Sequence, residues 1–414
     1  MPEGASAAAR TLSTPELVAT VASLSALNAL AIDIMLPALP QIGESFQLAN
    51  DNDRQLVVVA YVALFGIAQL VYGPLADAFG RRSVLIYALG IYIAGSILCV
   101  VAPSFELFLA ARAMQGVGAA ATRVIATAVV RDLTEGRRMA QVMSMAMTVF
   151  MIVPIIAPGL GQLILFVAPW RWIFAALLIY ALLVLTWTFL RLPETLKEEN
   201  RRQFNIPAIT SAYLSVLSQR QTVGYMIAST FVTACLFGYI TSSEQLFVDV
   251  YGLGPAFPIA FGSIAIAISC GTFMNSRLVI RHGMRRISHT MAIGFTLSAL
   301  VLAALAQLGL ASFWVFTGMA ALTFAMFGLI ASNFNALAME PVGRVAGSAS
   351  AIFGAVTATG GAALGALIAR AFDGTATPFA IGLAAAGAAT LLAVLWTERG
   401  KLFGVGPTPT ASKI

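Results

Sequence analysis

The chain of 414 residues is 59% hydrophobic and only 10% charged, with a mean hydropathy of +0.88. A soluble domain carries about 25% charged residues, so this composition excludes an ordinary soluble protein and indicates that lipid is the solvent. The net charge of +6 comes from basic residues spread over short loops, without the aromatic-interleaved basic patch of a nucleic-acid-binding surface, and we expect no nucleic-acid partner.

Runs of roughly 20 apolar residues recur from one end of the chain to the other. Each run is long enough to cross a hydrocarbon core of about 30 Å as a helix. We therefore predict an all-α polytopic membrane protein with twelve transmembrane helices. Their predicted spans are 17–39, 55–76, 83–102, 105–128, 141–166, 170–190, 222–243, 257–278, 289–308, 313–337, 347–369 and 377–396.

Cysteine and histidine give no sign of a metal site or of a catalytic centre. Cys99, Cys235 and Cys270 fall within apolar runs without CxxC spacing, so we interpret them as packing residues. His282 and His289 lie together in one predicted basic loop. An enzyme is disfavoured, and we predict no catalytic residue, no metal and no cofactor.

The basic residues predict the orientation of the helices. Loops on one side of the predicted bundle hold most of the arginines and lysines, for example Arg81 and Arg285, whereas the other side holds Arg54 and Arg171, with Arg370 at a boundary. Cytoplasmic loops carry the excess of Lys and Arg. We therefore expect a multi-pass protein of the plasma (inner) membrane with both termini in the cytoplasm.

One connection is longer than the others and divides the chain. Its charge is concentrated in the run LPETLKEENRR, and a mildly amphipathic stretch follows from Phe204 to Leu217. We predict an N-terminal six-helix bundle over 1–190, a cytoplasmic linker with an interfacial helix over 191–221, and a C-terminal six-helix bundle over 222–414. A regulatory element is the alternative interpretation of the linker.

A weak internal repeat supports two pseudo-symmetric halves. The run GPLADAFGRR after the second predicted helix recurs as SRLVIRHGMR after the eighth. Equal spacing relates two sets of three residues, namely Leu75, Gly80 and Arg82 in the first run and Leu278, Gly283 and Arg285 in the second. Repeats of this kind form central sites that can open to either side of the membrane.

The run GPLADAFGRR also resembles the signature of the major facilitator superfamily between helices two and three. Its characteristic positions are Gly73, Asp77, Gly80, Arg81 and Arg82. An acid at a helix end beside two arginines can form charge-assisted pairs with neighbouring helix termini and hold one face of a carrier shut, so we predict a gating role. The alternative is plain membrane topology, which explains the arginines but not the spacing of Asp77 and the glycines.

Helix four contains the run RAMQGVGAA, which is similar to a second motif of that family. The resemblance implies that Arg112 takes part in proton coupling, and a cation at this depth is costly enough to need a reason. The alternative is a structural arginine bonded to backbone carbonyl groups. Arg123, eleven residues later, matches no motif; it either binds an anionic or polar substrate group or extends toward the inner surface.

Helix five contains the run PIIAPGLG, which resembles the antiporter motif of the superfamily without that motif's earlier glycine. Its predicted motif residues are Pro154, Pro158, Gly159 and Gly161. Proline removes a backbone donor and glycine permits close approach, so we expect a kinked helix packed closely against the opposite half. An ordinary proline kink is the alternative.

Three further runs resemble the bicyclomycin- and chloramphenicol-resistance branch of the twelve-helix drug:proton antiporters. They are DIMLPALP at the end of helix one, LPETL after helix six, and AGSASA at the start of helix eleven, and the resemblance spans nearly the whole chain. The chain departs from this branch near the end of helix seven, where Glu244 stands in place of a usual proline. Glu244 is either a second protonation site or a cation-recognising carboxylate, although its predicted position near the membrane surface favours a solvated side chain.

Other polar positions in the predicted helices could orient a ligand. These substrate-binding candidates are Asn28, Gln69, Tyr239, Asn333 and Asn335, together with Arg123 and Glu244. Most polar residues in such helices only bond neighbouring helices.

Depth suggests that Asp33 and Arg112 form a proton-coupling pair. Each lies about six or seven residues from the outer end of its helix, which is about 10 Å at 1.5 Å per residue. The resemblance implies that helices one and four are neighbours, so a direct or water-bridged contact is feasible. A movement that separates or hydrates the two groups would change the proton affinity of the carboxylate. The alternative is that Asp33 only caps helix one near Pro37.

Together these features predict a proton-coupled antiporter that exports small amphipathic organic molecules by alternating access, with protons as the coupling ion. The expected partners are a small-molecule substrate and the lipid bilayer, and we expect a monomer. A proton-coupled importer or facilitator of a metabolite, siderophore or peptide is the first alternative, since fold does not determine direction. A non-transporting membrane sensor is the second.

Overall fold

A computed structural model describes residues 12–201 and 204–404, and the two predicted cytoplasmic termini lie outside these residues. The described part is helical without strands, and twelve of its helices are long and apolar enough to cross a membrane, as predicted. We number these helices in chain order: α1 Thr14–Asp33, α2 Leu56–Phe79, α3 Arg81–Val101, α4 Phe105–Leu133, α5 Gly136–Leu165, α6 Arg171–Arg191, α7 Arg220–Glu244, α8 Phe257–His282, α9 Met284–Gln307, α10 Phe313–Met339, α11 Ala346–Arg370 and α12 Thr377–Thr397.

Local sequence explains where several helices begin. Ser13 caps α1, and its hydroxyl and the Glu16 carboxylate form a reciprocal capping box. Gly80 separates α2 from α3 with a φ of 93°, and Gly283 separates α8 from α9 with a φ of 78°. Glycine adopts this left-handed backbone at no steric cost, so each pair of helices turns over a single residue.

The helix contacts are those of two similar six-helix bundles. In the first half α1 packs on α5, α2 on α4, and α3 on α4 and α6. The second half repeats this pattern, since α7 packs on α11, α8 on α10, and α9 on α10 and α12. The halves meet through α2 with α11 and through α5 with α8, two contacts that the same pseudo-symmetry exchanges. The boundaries of the two predicted domains stay predictions.

The outer faces of the helices are apolar, as expected of a multi-pass membrane protein. Large hydrophobic side chains are exposed along many of the twelve helices, for example Tyr87, Leu183 and Ile280. Cys99 and Cys235 are buried, in agreement with a packing role, whereas Cys270 is exposed.

An even number of spans places the described ends of the chain, Leu12 and Gly404, at the same end of the bundle. We call this end proximal and the opposite end distal. The proximal end holds the α2–α3 turn and the linker, and the distal end holds the Asp51–Gln55 turn and the Gln245–Val250 segment. The Gln245–Val250 segment is a π-helical continuation of α7, so that helix extends beyond its predicted end at residue 243.

The connection between α6 and α7 contains a linker helix, Ile206–Leu217, which begins two residues after the predicted start of the amphipathic stretch. It packs on the proximal end of the bundle. The Tyr213 hydroxyl donates to the carbonyl oxygen of Leu70 in α2 at 2.7 Å, and Val216 is buried against Ala349 and Ile352 of α11. Burial raises the pKa of Tyr213, so its hydroxyl stays a donor.

Candidate functional site

Arg112 is fully buried in α4 and binds three groups on three helices. Its Nε donates to the carbonyl oxygen of Val57 at 3.1 Å, its Nη2 to that of Ala31 at 2.9 Å, and its Nη1 to Gln115 Oε1 at 2.7 Å. The guanidinium also lies over the Tyr61 ring, 4.7 Å from its centroid. These contacts fit the structural alternative, an arginine bonded to carbonyl groups, and they also make Arg112 the link between α1, α2 and α4.

Asp33 is the last residue of α1 and is buried, with a relative exposure of 4%. Its Oδ1 has no hydrogen-bond partner among the described residues. Helices α1 and α4 are neighbours, as the family resemblance implied, but Asp33 and Arg112 are not joined by an ion pair within 4 Å. The direct pair is therefore not formed in this conformation, and the coupling role of both residues stays a prediction.

The polar candidates near Arg112 and between the halves already have partners. Asn28 Oδ1 accepts a hydrogen bond from Tyr61 at 2.8 Å, which connects it to the surroundings of Arg112. Gln69 is buried, donates to the carbonyl oxygen of Phe65 at 3.3 Å, and lies against Gly354 of α11. Gln69 therefore lies where α2 and α11 join the two halves.

The candidates in the second half divide into buried and exposed residues. Tyr239 is buried, stacks on Phe261 with a centroid distance of 5.3 Å and donates to the Phe261 carbonyl oxygen at 3.3 Å. Asn333 is also buried and donates to Asn275 Oδ1 at 2.7 Å, so it joins α10 to α8. Asn335 is exposed. Asn335 is therefore the more accessible of the two asparagines.

Arg123 is exposed although it lies well inside α4, ten residues from the proximal end of that helix. Thr127, one turn further on, is exposed as well. The structure thus favours an accessible side chain for Arg123 without deciding between the two interpretations of its role.

Helix α5 contains Pro154 and Pro158 of the predicted antiporter motif. It packs against α8 of the opposite half, as expected, but not through its motif glycines. A Cβ on Gly161 would lie 1.8 Å from the carbonyl oxygen of Ile34, so this glycine allows contact with the end of α1 in the same half. A Cβ on Gly159 meets no atom within 4 Å. Contact with the opposite half comes earlier in α5, where the Ile155 carbonyl oxygen faces Gly262 of α8.

The predicted gating residues belong to an ion cluster at the proximal end of the first half. Arg81 Nη1 lies 2.5 Å from Asp77 Oδ1, and Arg81 Nε lies 3.1 Å from Asp132 Oδ2 at the end of α4. Glu194, in the LPETL run, accepts from the backbone N–H groups of Arg81 and Arg82 at 2.8 and 3.3 Å, and so caps α3. A Cβ on Gly80 would lie 2.3 Å from Glu194 Oε2, which explains this glycine.

This cluster joins α2, α3, α4 and the segment after α6, all within the same half. The remaining predicted gating position, Gly73, has open space around it, since a Cβ there would meet no atom within 4 Å. Arg82 Nη2 donates to the carbonyl oxygen of Phe189 in α6 at 2.7 Å. The sequence analysis did not predict Asp132 and Glu194 as partners of Arg81. Their positions near the ends of α4 and α6 could have indicated such a pairing.

A matching cluster lies at the proximal end of the second half. Arg285 Nε lies 3.0 Å from Glu398 Oε1, and its Nη2 lies 2.9 Å from Glu340 Oε2. Glu340 follows α10 and Glu398 follows α12, just as Asp132 ends α4 and Glu194 follows α6. The repeat of Gly80 and Gly283 indicated that the two halves are related, but it did not reveal these acids.

The second proximal cluster also corrects the expectation for His289. His289 is fully buried in α9 rather than in a loop, while His282 is exposed at the end of α8. The Phe403 N–H donates to His289 Nδ1 at 3.2 Å, and His289 Nε2 is 2.9 Å from the Tyr225 hydroxyl. Tyr225 in turn donates to Glu398 at 2.6 Å. Imidazole, phenol and carboxylate thus form one hydrogen-bonded chain.

At the distal end, Glu244 is not the solvated side chain that its predicted position favoured. It is 1% exposed, and its Oε2 lies 3.0 Å from Arg54 Nη2. The same Nη2 lies 2.6 Å from Asp249 Oδ2. Neither oxygen of Glu244 has an aligned hydrogen bond among the described residues, so its contact with Arg54 is one of charge with charge. The sequence could not reveal Arg54 as a partner, because about 190 residues separate the two.

Further polar contacts surround this ion pair and join the same two halves. Gln55 hydrogen-bonds Gln245, and Asn52 accepts from Gln245 Nε2 at 2.7 Å. Asp53 and Arg370 form a more exposed ion pair at 3.2 Å. We call the residues Asn52, Asp53, Arg54, Gln55, Glu244, Gln245, Asp249 and Arg370 the distal cluster. Of the ion pairs that the structure describes, the three that join the two halves all lie here.

A cavity of about 750 Å³ lies at the proximal end, beside the linker helix. Ser215, Gln219 and the segment after α10, including Pro341 and Val345, line it. None of the predicted substrate-binding residues lines this cavity.

Comparison with known proteins identifies close similarities in sequence and fold. Residues 21–366 match the family described as Major Facilitator Superfamily. The chain is 32% identical over 344 residues to the uncharacterized MFS-type transporter YdgK of Bacillus subtilis (strain 168), which covers 80% of this chain and 83% of the relative. It is 31% identical over 384 residues to the bicyclomycin resistance protein homolog of Haemophilus influenzae, which covers 91% and 94%. A crystal structure of a D-xylose-proton symporter has the same fold, with a TM-score of 0.73 at 15% identity, over 94% of this chain and 99% of that one.

Proposed function

The chain belongs to the Major Facilitator Superfamily, and on that premise we propose that it exports small amphipathic organic molecules in exchange for protons by alternating access. The direction of transport is supported by the bicyclomycin resistance protein homolog, which resembles this chain over nearly its whole length. The name of this relative associates it with antibiotic resistance, which efflux of the antibiotic would provide.

One observation supports the proposed proton coupling. The carboxyl group of Asp33 is buried at the end of a membrane helix, and its Oδ1 has no hydrogen-bond partner among the described residues. Ionisable groups inside a membrane protein are costly and mark proton or substrate pathways. Arg112 holds the backbone of the same helix two residues earlier, so a movement of α1 against α4 changes the surroundings of the carboxyl group. Such a change of surroundings can alternate proton uptake and release.

The arrangement of the two halves supports alternating access. The distal cluster closes one end with buried cross-half contacts, whereas each proximal cluster joins helices of one half only. We propose that the proximal end, which has most of the basic residues, faces the cytoplasm of a cell whose inner membrane the protein spans. In that orientation the structure is closed to the outside.

We also propose that the protein acts as a monomer in the bilayer on a small-molecule substrate, without nucleic acid, cofactor or enzymatic activity, and with the proton as its coupling ion. Arg123, Asn335 and the other polar candidates are proposed to contribute to substrate binding.

Flux in inside-out vesicles tests the function. An efflux screen at two external pH values, in a strain without its own exporters, selects the probe. Chloramphenicol and bicyclomycin are tested first. An antiporter loads the probe into vesicles when the lumen is acidic, and dissipating the pH gradient stops the loading. Expulsion of the probe under the same gradient would instead identify a symporter. Binding without any flux would favour a sensor.

A further inference from the structure

We propose that Arg54 and Glu244 form the gate of the distal side: their ion pair holds the two halves together in this conformation and separates each time the carrier opens to that side. This inference rests on the proposed alternating access, and it assigns Glu244 to the conformational step instead of to substrate binding. Both residues are positioning residues, since they act through the relative placement of the halves.

Burial distinguishes this ion pair from the others at the same surface. The side chains of Arg54 and Glu244 are 8% and 1% exposed, whereas those of Arg370 and Asp53 are 57% and 31% exposed. An exposed pair contributes little because water and salt screen it. A buried pair depends strongly on its partner, because removing either charge leaves the other desolvated and uncompensated.

Arg54 belongs to the first half and reaches between two acids of the second. Glu244 ends α7, and Asp249 lies five residues later in the π-helical continuation of that helix. Separating the halves therefore removes one guanidinium from both carboxylates together. The distal side is then either paired and closed or unpaired and open, which is the behaviour required of a gate.

The neighbouring contacts allow little partial opening. The amides of Gln55 and Gln245, each next in sequence to a member of the pair, also meet across the two halves and are buried. Asn52 donates to the carbonyl oxygens of Arg370 and Phe372 at 3.2 and 3.1 Å. A π-helical turn follows Glu244 directly, and such turns are frequent at functional sites.

Distance measurements between spin labels test the gate without requiring a substrate. The labels replace Val167 and Leu310, which are 86% and 57% exposed in distal loops of different halves, in a background without the three native cysteines. Wild type is compared with Glu244→Gln, Arg54→Gln and the double variant. Asp53→Asn, which breaks the exposed ion pair, is the matched control.

We expect Glu244→Gln and Arg54→Gln each to raise the ratio of long to short distances roughly tenfold or more, and Asp53→Asn to change it little. The double variant should open less than the sum of the two single effects, because it leaves neither Arg54 nor Glu244 buried without its partner. Unchanged distances in all three gate variants, or strictly additive effects in the double variant, would overturn the proposal.

A cross-link provides a second measurement that does not depend on removing a buried charge. In protein without spin labels, a short thiol-specific cross-linker that joins Gln55→Cys to Gln245→Cys should stop chloramphenicol export, whereas the same reagent on either single cysteine variant should not. Export that persists after complete cross-linking would contradict the gate. A gate that responds as expected in a protein that exports no probe would support this inference and reject the proposed function, so the two failures are distinguishable.

Discussion

Arg112 donates a hydrogen bond to the carbonyl oxygen of Ala31 at 2.9 Å and so holds α1 two residues before the buried Asp33. The guanidinium thus contacts the backbone beside the carboxyl group and not the carboxyl group itself. A shift of α1 relative to α4 would change this contact and the surroundings of Asp33 together, which gives a mechanical link between conformation and proton binding.

The first prediction concerns Asp33. Asp33→Asn removes the proton-binding group while keeping the size of the side chain, so the variant should still bind the neutral probe chloramphenicol but lose pH-driven export. Proton release on probe binding in detergent measures this, with Asp373→Asn at an exposed distal position as the control. Undiminished proton release from Asp33→Asn would show that Asp33 is not the coupling group, and Glu244 would then be the candidate protonation site.

The second prediction concerns Arg112. Arg112→Ala removes three hydrogen bonds, two to backbone carbonyl oxygens and one to Gln115, which should lower the stability by about 2 to 4 kcal/mol. The pH dependence of export should change more in Arg112→Ala than in Arg112→Lys, because only lysine keeps the charge. Arg171 also binds two carbonyl oxygens, so Arg171→Ala should reduce stability without altering the pH profile. Identical pH profiles in both Arg112 variants would argue for a purely structural arginine.

The third prediction compares two glycines of the α5 motif. A methyl group at Gly161 would collide with the carbonyl oxygen of Ile34, next to Asp33, whereas one at Gly159 meets nothing. Gly161→Ala should therefore destabilise the protein by about 1 to 3 kcal/mol and reduce export, while Gly159→Ala should stay near wild type. Thermal unfolding in detergent and export rates check both effects. Equal behaviour of the two variants would refute the role of this close approach.

The fourth prediction concerns the proximal cluster of the first half. Asp77 is about one-third exposed and shares Arg81 with Asp132, so Asp77→Asn should cost less than about 1 kcal/mol of stability. Transport should fall more than probe binding, because the residue lies at a helix end. Glu199→Gln in the exposed linker is the control. Equal losses of binding and transport would indicate a direct ligand role for Asp77.

The fifth prediction concerns orientation. Glu199 is exposed in the linker, and Asp51 is exposed at the distal end. In a cysteine-free background on intact cells, an impermeant thiol reagent should label Asp51→Cys and fail to label Glu199→Cys until the membrane is made permeable. Efficient labelling of Glu199→Cys on intact cells would reverse the proposed orientation.

The sequence by itself determined the class, the twelve spans and the two-half architecture. These properties are local or periodic, because the length of an apolar run decides whether a helix can cross the bilayer. The spacing of Gly80 and Gly283 likewise indicated two related halves, and both glycines lie in tight turns. The family resemblance also predicted that Asp33 and Arg112 lie in adjacent helices.

Only the tertiary structure decided which charges meet. Arg54 pairs with Glu244 across the halves, Glu194 caps α3 from beyond α6, and His289 is buried and not in a loop. The sequence places these residues far from their partners, and apolar periodicity does not show which polar side chain of one helix faces which neighbour. Desolvation makes such pairings strongly favourable or unfavourable, but their identity depends on how the helices pack.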